Sequence, residues 1–236
     1  MKIALASAPV RNGDTAHNLT QMAQYIWKAK EQGAELVCFG EAYLQGFDAL
    51  TWEFEEDRTT AASVHSPVFQ IIAGWTKDTG VDVMFGFLER DGDTIYSSCA
   101  LVAGGELIHR YRRISRGWKE FTKTDGHYRE GTEVSVFEYR GRTCLIALCG
   151  DLWDCTERFK QGQEILFWPV YIEYTKKEWE NGEQQAYAQK AAEVGGQVLM
   201  INPVDADAHG GSCRFEHGTV KDALPMDTTD ILILEL

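Results

Sequence analysis

Positive charge is scarce in this chain. Its 23 lysines and arginines face 36 acids, which leaves a net charge of −13 and a pI near 4.9. Nucleic acid and anionic membrane surfaces both require a basic face, so the balance argues against either partner. Acidity favours solubility but names no ligand. No apolar window approaches the ~20 residues that span a bilayer. Paired metal ligands are missing as well. Cys38, Cys99, Cys144, Cys149, Cys155 and Cys213 include no C-x-x-C pair, and His17, His65, His109, His127, His209 and His217 show no ligand spacing. No metal cofactor is therefore expected. Several cysteines lie inside strand-like apolar runs, which predicts reduced, buried thiols and a cytoplasmic location. Linkers, low-complexity tracts and repeats are absent too. With 44% apolar content, the 236 residues fit one domain over 1–236.

What is present is a series of short apolar runs closed by turn residues. The opening Met1 to Ala8 imitates a signal peptide but is too short. Pro9 and Arg11 lead straight into a helix pattern, so a first strand over Lys2 to Ala8 is expected. Asp14 or Thr15 caps a helix ending at Gly33, and Glu35 to Phe39 forms a second strand. Ser66-Pro67 opens a helix that Gly80 closes. Strands over Val81–Leu88, Thr94–Val102 and Glu106–Ile114, joined by tight turns, predict an antiparallel meander. Further strands are expected over Val134–Tyr139, Thr143–Leu148, Ile165–Tyr171, Gln197–Val204, Ser212–Lys221 and Asp230–Leu236, with a helix over Lys176–Val194. Helices set among mostly hairpin-linked strands predict a mixed-sheet α/β (α+β) sandwich with helices outside.

Three reactive groups stand just beyond apolar runs. Glu41 ends Leu36-Val37-Cys38-Phe39-Gly40, where desolvation would favour a general base, although a solvated strand-end glutamate reads the same way. Arg110, Arg112, Arg113, Arg116 and Lys119 crowd one strand end, as a solvated basic loop also would. Cys149 follows the run Thr143 to Leu148 and precedes Gly150-Asp151; alone it could equally be a small buried hydrophobe. A carboxylate, a cation and a thiol held together would support acyl transfer without histidine. Spacing alone does not bring the three together.

The segments Phe39-Gly40-Glu41, Tyr111-Arg112-Arg113 and Cys149-Gly150-Asp151, in this order, resemble the nitrilase superfamily of carbon–nitrogen hydrolases. The likeness extends to Tyr96-Ser97-Ser98-Cys99-Ala100, Gly131, Glu164 to Pro169 and Gly210-Gly211-Ser212. It implies a four-layer α-β-β-α sandwich, usually dimerised, and cofactor-free hydrolysis of a small amide or nitrile. By this likeness Glu41 is the base, Cys149 the nucleophile and the Gly150 N–H an oxyanion donor. Tyr43, Trp153 and Tyr171 join Gly150 as substrate-facing candidates, and Phe47, Trp52, Glu173 and Tyr174 lie in the loops that would shape substrate choice. The family's lysine falls on Arg113, so either Arg113 or Lys119 would supply the cation. The family's second glutamate falls near Thr124, with Asp125 the nearest acid. Gly40 replaces a proline. Two alternatives remain. One is a nitrilase-fold protein that binds a ligand without turnover. The other is a Cys–His hydrolase, disfavoured by Ala147 and Asp151 where its nucleophile turn requires glycine.

Overall fold

The computed structural model describes residues 1–236 and contains two six-stranded sheets. The first has the order β12-β1-β2-β3-β4-β5, formed by Asp230–Glu235, Lys2–Ser7, Leu36–Cys38, Asp82–Asp91, Thr94–Ala103 and Glu106–Arg112. The second runs β11-β10-β9-β8-β7-β6, formed by Thr219–Ala223, Cys213–Glu216, Gln197–Ile201, Ile165–Pro169, Arg142–Ile146 and Phe137–Tyr139. In each sheet the central strands are parallel (β1-β2-β3 and β7-β8-β9) and the flanking pairs antiparallel. No helix is long and apolar enough to cross a membrane.

Period-two alternation assigns each residue to a layer. In β1, Ile3 and Leu5 face the second sheet and join the core that also holds Ile146, Phe167 and Leu199. Ala4 and Ala6 point the other way, into a layer shared with Met22 and Ile26 of α1 (Thr15–Glu31) and Phe69 and Ile72 of α3 (Pro67–Thr79). Tyr187, Ala188 and Ala191 of α6 (Gln184–Val194) cover the outer face of the second sheet. The result is the four-layer α-β-β-α sandwich. Its helix ends follow local chemistry: Asp14 accepts the His17 N–H at 2.9 Å, and Gly80 adopts the left-handed C-cap (φ 73°).

Several expected elements differ. Ser212–Lys221 is not one strand but the hairpin β10–β11, because His217 and Gly218 both take positive φ and turn the chain. The helix expected over Lys176–Val194 is interrupted. It opens as α5 (Lys176–Glu178), with a capping box on Thr175, passes through a π-helical turn at Trp179–Glu183 and continues as α6. Gly182, at φ 151°, breaks the helical backbone there. Two α-helices lie where none was predicted, α2 (Phe54–Thr60) and the one-turn α4 (Asp151–Asp154) directly after Cys149-Gly150, and a 3₁₀ turn (Thr156–Phe159) follows α4.

Candidate active site

The parallel strands bring their C-terminal ends to one end of the sandwich, where a ligand meets loops held by rigid strands. Beyond β2, the Glu41 N–H donates to Val170 O at 3.1 Å, just past β8, so the two sheets are stitched together at the site itself. Beyond β5, the N–H groups of Ile114 and Ser115 donate to Asp151 Oδ1 at 3.1 and 2.7 Å. Tyr111 Oη and the Leu148 N–H donate to Asp151 Oδ2 at 2.6 and 2.8 Å. Asp151 is fully buried. Desolvation pushes its carboxyl up, opposed by the Tyr111, Leu148 and Ser115 donors and by Arg113. Its acceptor set ties the turn after β7 to the turn after β5, and thereby Cys149 to Arg113.

Glu41 is 1% exposed and Arg113 3%. Glu41 Oε1 accepts from Arg113 Nη1 at 2.9 Å and from Ser97 Oγ at 2.8 Å, while Glu41 Oε2 is buried with no hydrogen-bond partner. Arg113 Nε donates to Ser115 Oγ at 2.8 Å. The remaining nitrogen, Nη2, lies against Gly150 and Gly117, so close that a Cβ on Gly150 would stand 2.6 Å from it. Burial works against the charge of Arg113. The neighbouring Glu41, Cys149 and Asp151 outweigh it, and the guanidinium pKa is raised.

Cys149 is half-buried, with its backbone in the left-handed region at φ 38°. For a non-glycine residue this conformation is costly and persists where the surroundings hold it. Two hydrogen bonds do so: Cys149 N–H to Pro169 O at 3.0 Å, and Trp168 Nε1–H to Cys149 O at 2.8 Å. The Sγ lies 3.7 Å from Tyr171 O. Burial and then the Glu41 charge push the thiol pKa up to about 12, partly countered by Arg113. The cysteine's own N–H is committed to Pro169, whereas the Gly150 N–H meets no protein acceptor.

The thiol opens into a cavity of about 490 Å³ walled by Phe47, Gly117, Tyr171, Glu173 and Tyr187. Phe47 and Tyr171 stack with centroids 4.7 Å apart. The structure thus gathers Glu41, Arg113, Cys149, Gly150 and Tyr171. It does not bring the other candidates to them. Lys119 donates to Tyr128 O and pairs with Glu130 at 2.9 Å, clasping its own loop. Asp125 accepts from the His127 backbone and ring at the surface. Tyr43 is wholly buried, packed on Phe39 and bonded to Pro9 O at 2.6 Å. Trp153 lies beside Trp168 and Tyr187, with Lys190 over its ring. His217 turns the β10–β11 hairpin, so neither histidine that a Cys–His pair would draw on faces the thiol.

Sequence reading did not single out Ser97, Ser115 or Gly86 as site residues. Gly86, in the middle of β3, is the one with a visible signal, since an isolated glycine in an apolar strand marks close backbone approach. A Cβ there would stand 2.4 Å from Ala42 N and 2.5 Å from Gly40 O, so Gly86 makes the room in which the Glu41 turn lies.

A four-layer sandwich with such groups at its strand ends has the architecture of the nitrilase superfamily. The chain belongs to the carbon-nitrogen hydrolase family, whose model it matches over residues 2–236. It is 26% identical over 160 residues to a glutamine-dependent NAD(+) synthetase of Thermotoga maritima, covering 66% of this chain and 27% of the relative. With an arylacetonitrilase of Macrophomina phaseolina it shares 28% identity over 189 residues, covering 72% and 55%. The chain therefore spans only part of the length of these curated relatives. Among solved structures it is similar to the amidase from Nesterenkonia sp. AN1, with a TM-score of 0.78 and 19% identity over 100% of this chain and 93% of that one. It is also similar to the glutamine-dependent NAD+ synthetase of Acinetobacter baumannii, with a TM-score of 0.81 and 20% identity over 98% and 44%.

Proposed function

We propose that this chain hydrolyses a small amide, with a nitrile the less favoured substrate, through a thioester on Cys149 and without a cofactor. Glu41 takes the thiol proton as sulfur attacks the carbonyl carbon. The oxyanion forms against the Gly150 N–H and Arg113 Nη2. The C–N bond then breaks, and protonated Glu41 returns its proton to the departing amine. Water, deprotonated by Glu41, cleaves the thioester to a carboxylic acid and restores the thiol. A thiol with its pKa pushed up to about 12 is not a thiolate at neutral pH, so attack has to be coupled to proton transfer.

The observation that carries this reading is Glu41 Oε2. A carboxylate oxygen buried without a partner costs about 1–3 kcal/mol or more. It is a vacant proton acceptor beside the thiol whose pKa the same carboxylate raises. Arginine at the lysine position favours a second reading, ligand binding without turnover. Against it stands the placement of Nη2 beside the free Gly150 N–H, where a cationic donor is needed.

The test is intact mass and product release after brief incubation with a panel of small amides and nitriles, with Cys149→Ala as control. An acyl adduct or turnover confined to the wild type supports the proposal. No adduct, together with a thiol slow towards iodoacetamide, would favour the second reading. A homodimer belongs to the same proposal, and sedimentation equilibrium decides it.

A further inference from the structure

The cavity outside Cys149 has a charged mouth. Tyr171 runs from one to the other: its carbonyl lies 3.7 Å from the thiol, and its hydroxyl donates to Asp205 Oδ2 at 2.9 Å. Asp48 approaches the same hydroxyl. Glu173 lines the cavity, and Asp207 donates its N–H to Asp205 Oδ1 at 2.9 Å. Other acids near the site are paired or bonded locally: Glu41 pairs with Arg113, Glu130 with Lys119, and Glu89 with Arg110 and Arg112, while Glu178, which also lines the cavity, accepts from the Thr175 N–H and hydroxyl. Asp48, Glu173, Asp205 and Asp207 take part in no ion pair. Arg11, which shares a surface crevice with Asp205 and Asp207, pairs instead with Asp14 at 3.9 Å.

Burial, and then the mutual repulsion of these carboxylates, raises the pKa values of Asp48 and Glu173. Such repulsion is relieved by a cation. The group does not form a metal site, since no three acidic, histidine or cysteine side chains converge as ligands. Beside the acids stands the stacked pair Phe47–Tyr171, whose ring faces attract an organic cation. Cys149 lines the same cavity, and its thiol senses the charge of Glu41, whose Oε2 is buried without a partner.

We infer that the substrate is a small amide carrying an ammonium or guanidinium group at the end remote from the scissile bond, with the amide at Cys149 and the cation at the mouth between Phe47–Tyr171 and the carboxylates of Asp48 and Glu173. The inference rests on the amidase reading above and adds the charge of the substrate. The two ends lie about a tyrosine side chain apart, the reach of a linker of roughly four to six bonded atoms. The acidic mouth also concentrates cationic substrate electrostatically, an effect that weakens as salt rises.

The test compares three amides of one length: cationic 6-aminohexanamide, neutral heptanamide and the anionic monoamide of pimelic acid. The expected order of kcat/KM is cation, neutral, anion, with about tenfold between the first two. That ratio falls between about 0.05 and 0.5 M salt. Glu173→Gln and Asp48→Asn each narrow the ratio by roughly threefold. Heptanamide handled as well as the amine, or a ratio untouched by both substitutions, would overturn the inference. If none of the three is turned over, calorimetric titration of Cys149→Ala with the same compounds decides separately. Binding in the charge order keeps the inference while removing the amidase reading; binding of none, or without that order, overturns it.

Discussion

Gly150 stands where any side chain would collide with Arg113: a Cβ would lie 2.6 Å from Nη2 and 3.2 Å from Ser115 Oγ. The backbone there is ordinary right-handed helix (φ −62°, ψ −12°), so alanine at 150 is unstrained and any effect comes from the contact. Gly150→Ala is expected to push the guanidinium aside and lower kcat/KM about 100-fold, as small displacements at reacting centres do. Lysine at 113 has no planar fork to collide. In the Arg113→Lys background, itself reduced, the added cost of Gly150→Ala is expected to shrink to roughly threefold. A double-mutant cycle on kcat/KM measures the coupling. Additive losses would mean that Gly150 and Arg113 are not fitted to each other.

Glu41→Gln separates the base from the charge. Loss of the acceptor is expected to lower turnover about 1,000-fold, within the usual range for a general base. The thiol responds in the opposite sense. Glu41 is one of the causes raising it, after burial, so removing that charge lowers its pKa and increases the thiolate fraction at any pH below about 12. The midpoint of iodoacetamide alkylation against pH is therefore expected to move down in Glu41→Gln while catalysis collapses. An unmoved midpoint would show that the thiol does not sense this carboxylate.

What could be read from the sequence was whatever a local period or a punctuating residue encodes. The strand Lys2–Ser7, helix α1 with its Asp14 cap, and helix α3 between Pro67 and Gly80 all follow from patterns a few residues long. Helix α2 escaped because it is short and lacks an apolar stripe. Its only cue is the acidic first turn, Glu55, Glu56 and Asp57. Glu41 and Cys149 stood out because each breaks an apolar run, and Arg113 because it lies in a basic cluster that resembles a family motif. Their supports did not, since Ser97 reaches Glu41 from strand β4, two strands away from β2, and Ser115 acts only through the conformation of Arg113. Such partnerships are long-range, and no local pattern carries them.

Asp151 is expected to be needed for stability as much as for geometry. Asparagine keeps an oxygen for the Ile114 and Ser115 N–H groups, but it turns an amide NH2 towards the donors Leu148 N–H and Tyr111 Oη. Two buried donors then lose their acceptor, at a cost of about 2–4 kcal/mol for Asp151→Asn. Urea unfolding with an unchanged m-value checks it. A loss below about 0.5 kcal/mol would mean that the turn is held by other contacts.

The nucleophile position carries strain of its own. Cys149 holds φ at 38°, which an L side chain tolerates poorly and glycine does not resist. Cys149→Ala keeps the Cβ and therefore the strain; Cys149→Gly removes both. Neither variant can form a thioester, so activity does not enter the comparison. The glycine variant is expected to be the more stable by about 1 kcal/mol, despite the greater freedom glycine gives the unfolded chain. In a chain of this size that is a rise of roughly 2–4 °C in Tm over the alanine variant. Calorimetry of the two proteins side by side measures it. A glycine variant no more stable than alanine would place the cost of this conformation elsewhere. The expected order would mean that the fold sacrifices stability to hold the thiol beside Glu41, and that Pro169 O and Trp168 Nε1, bonded to the two sides of this residue, hold it there.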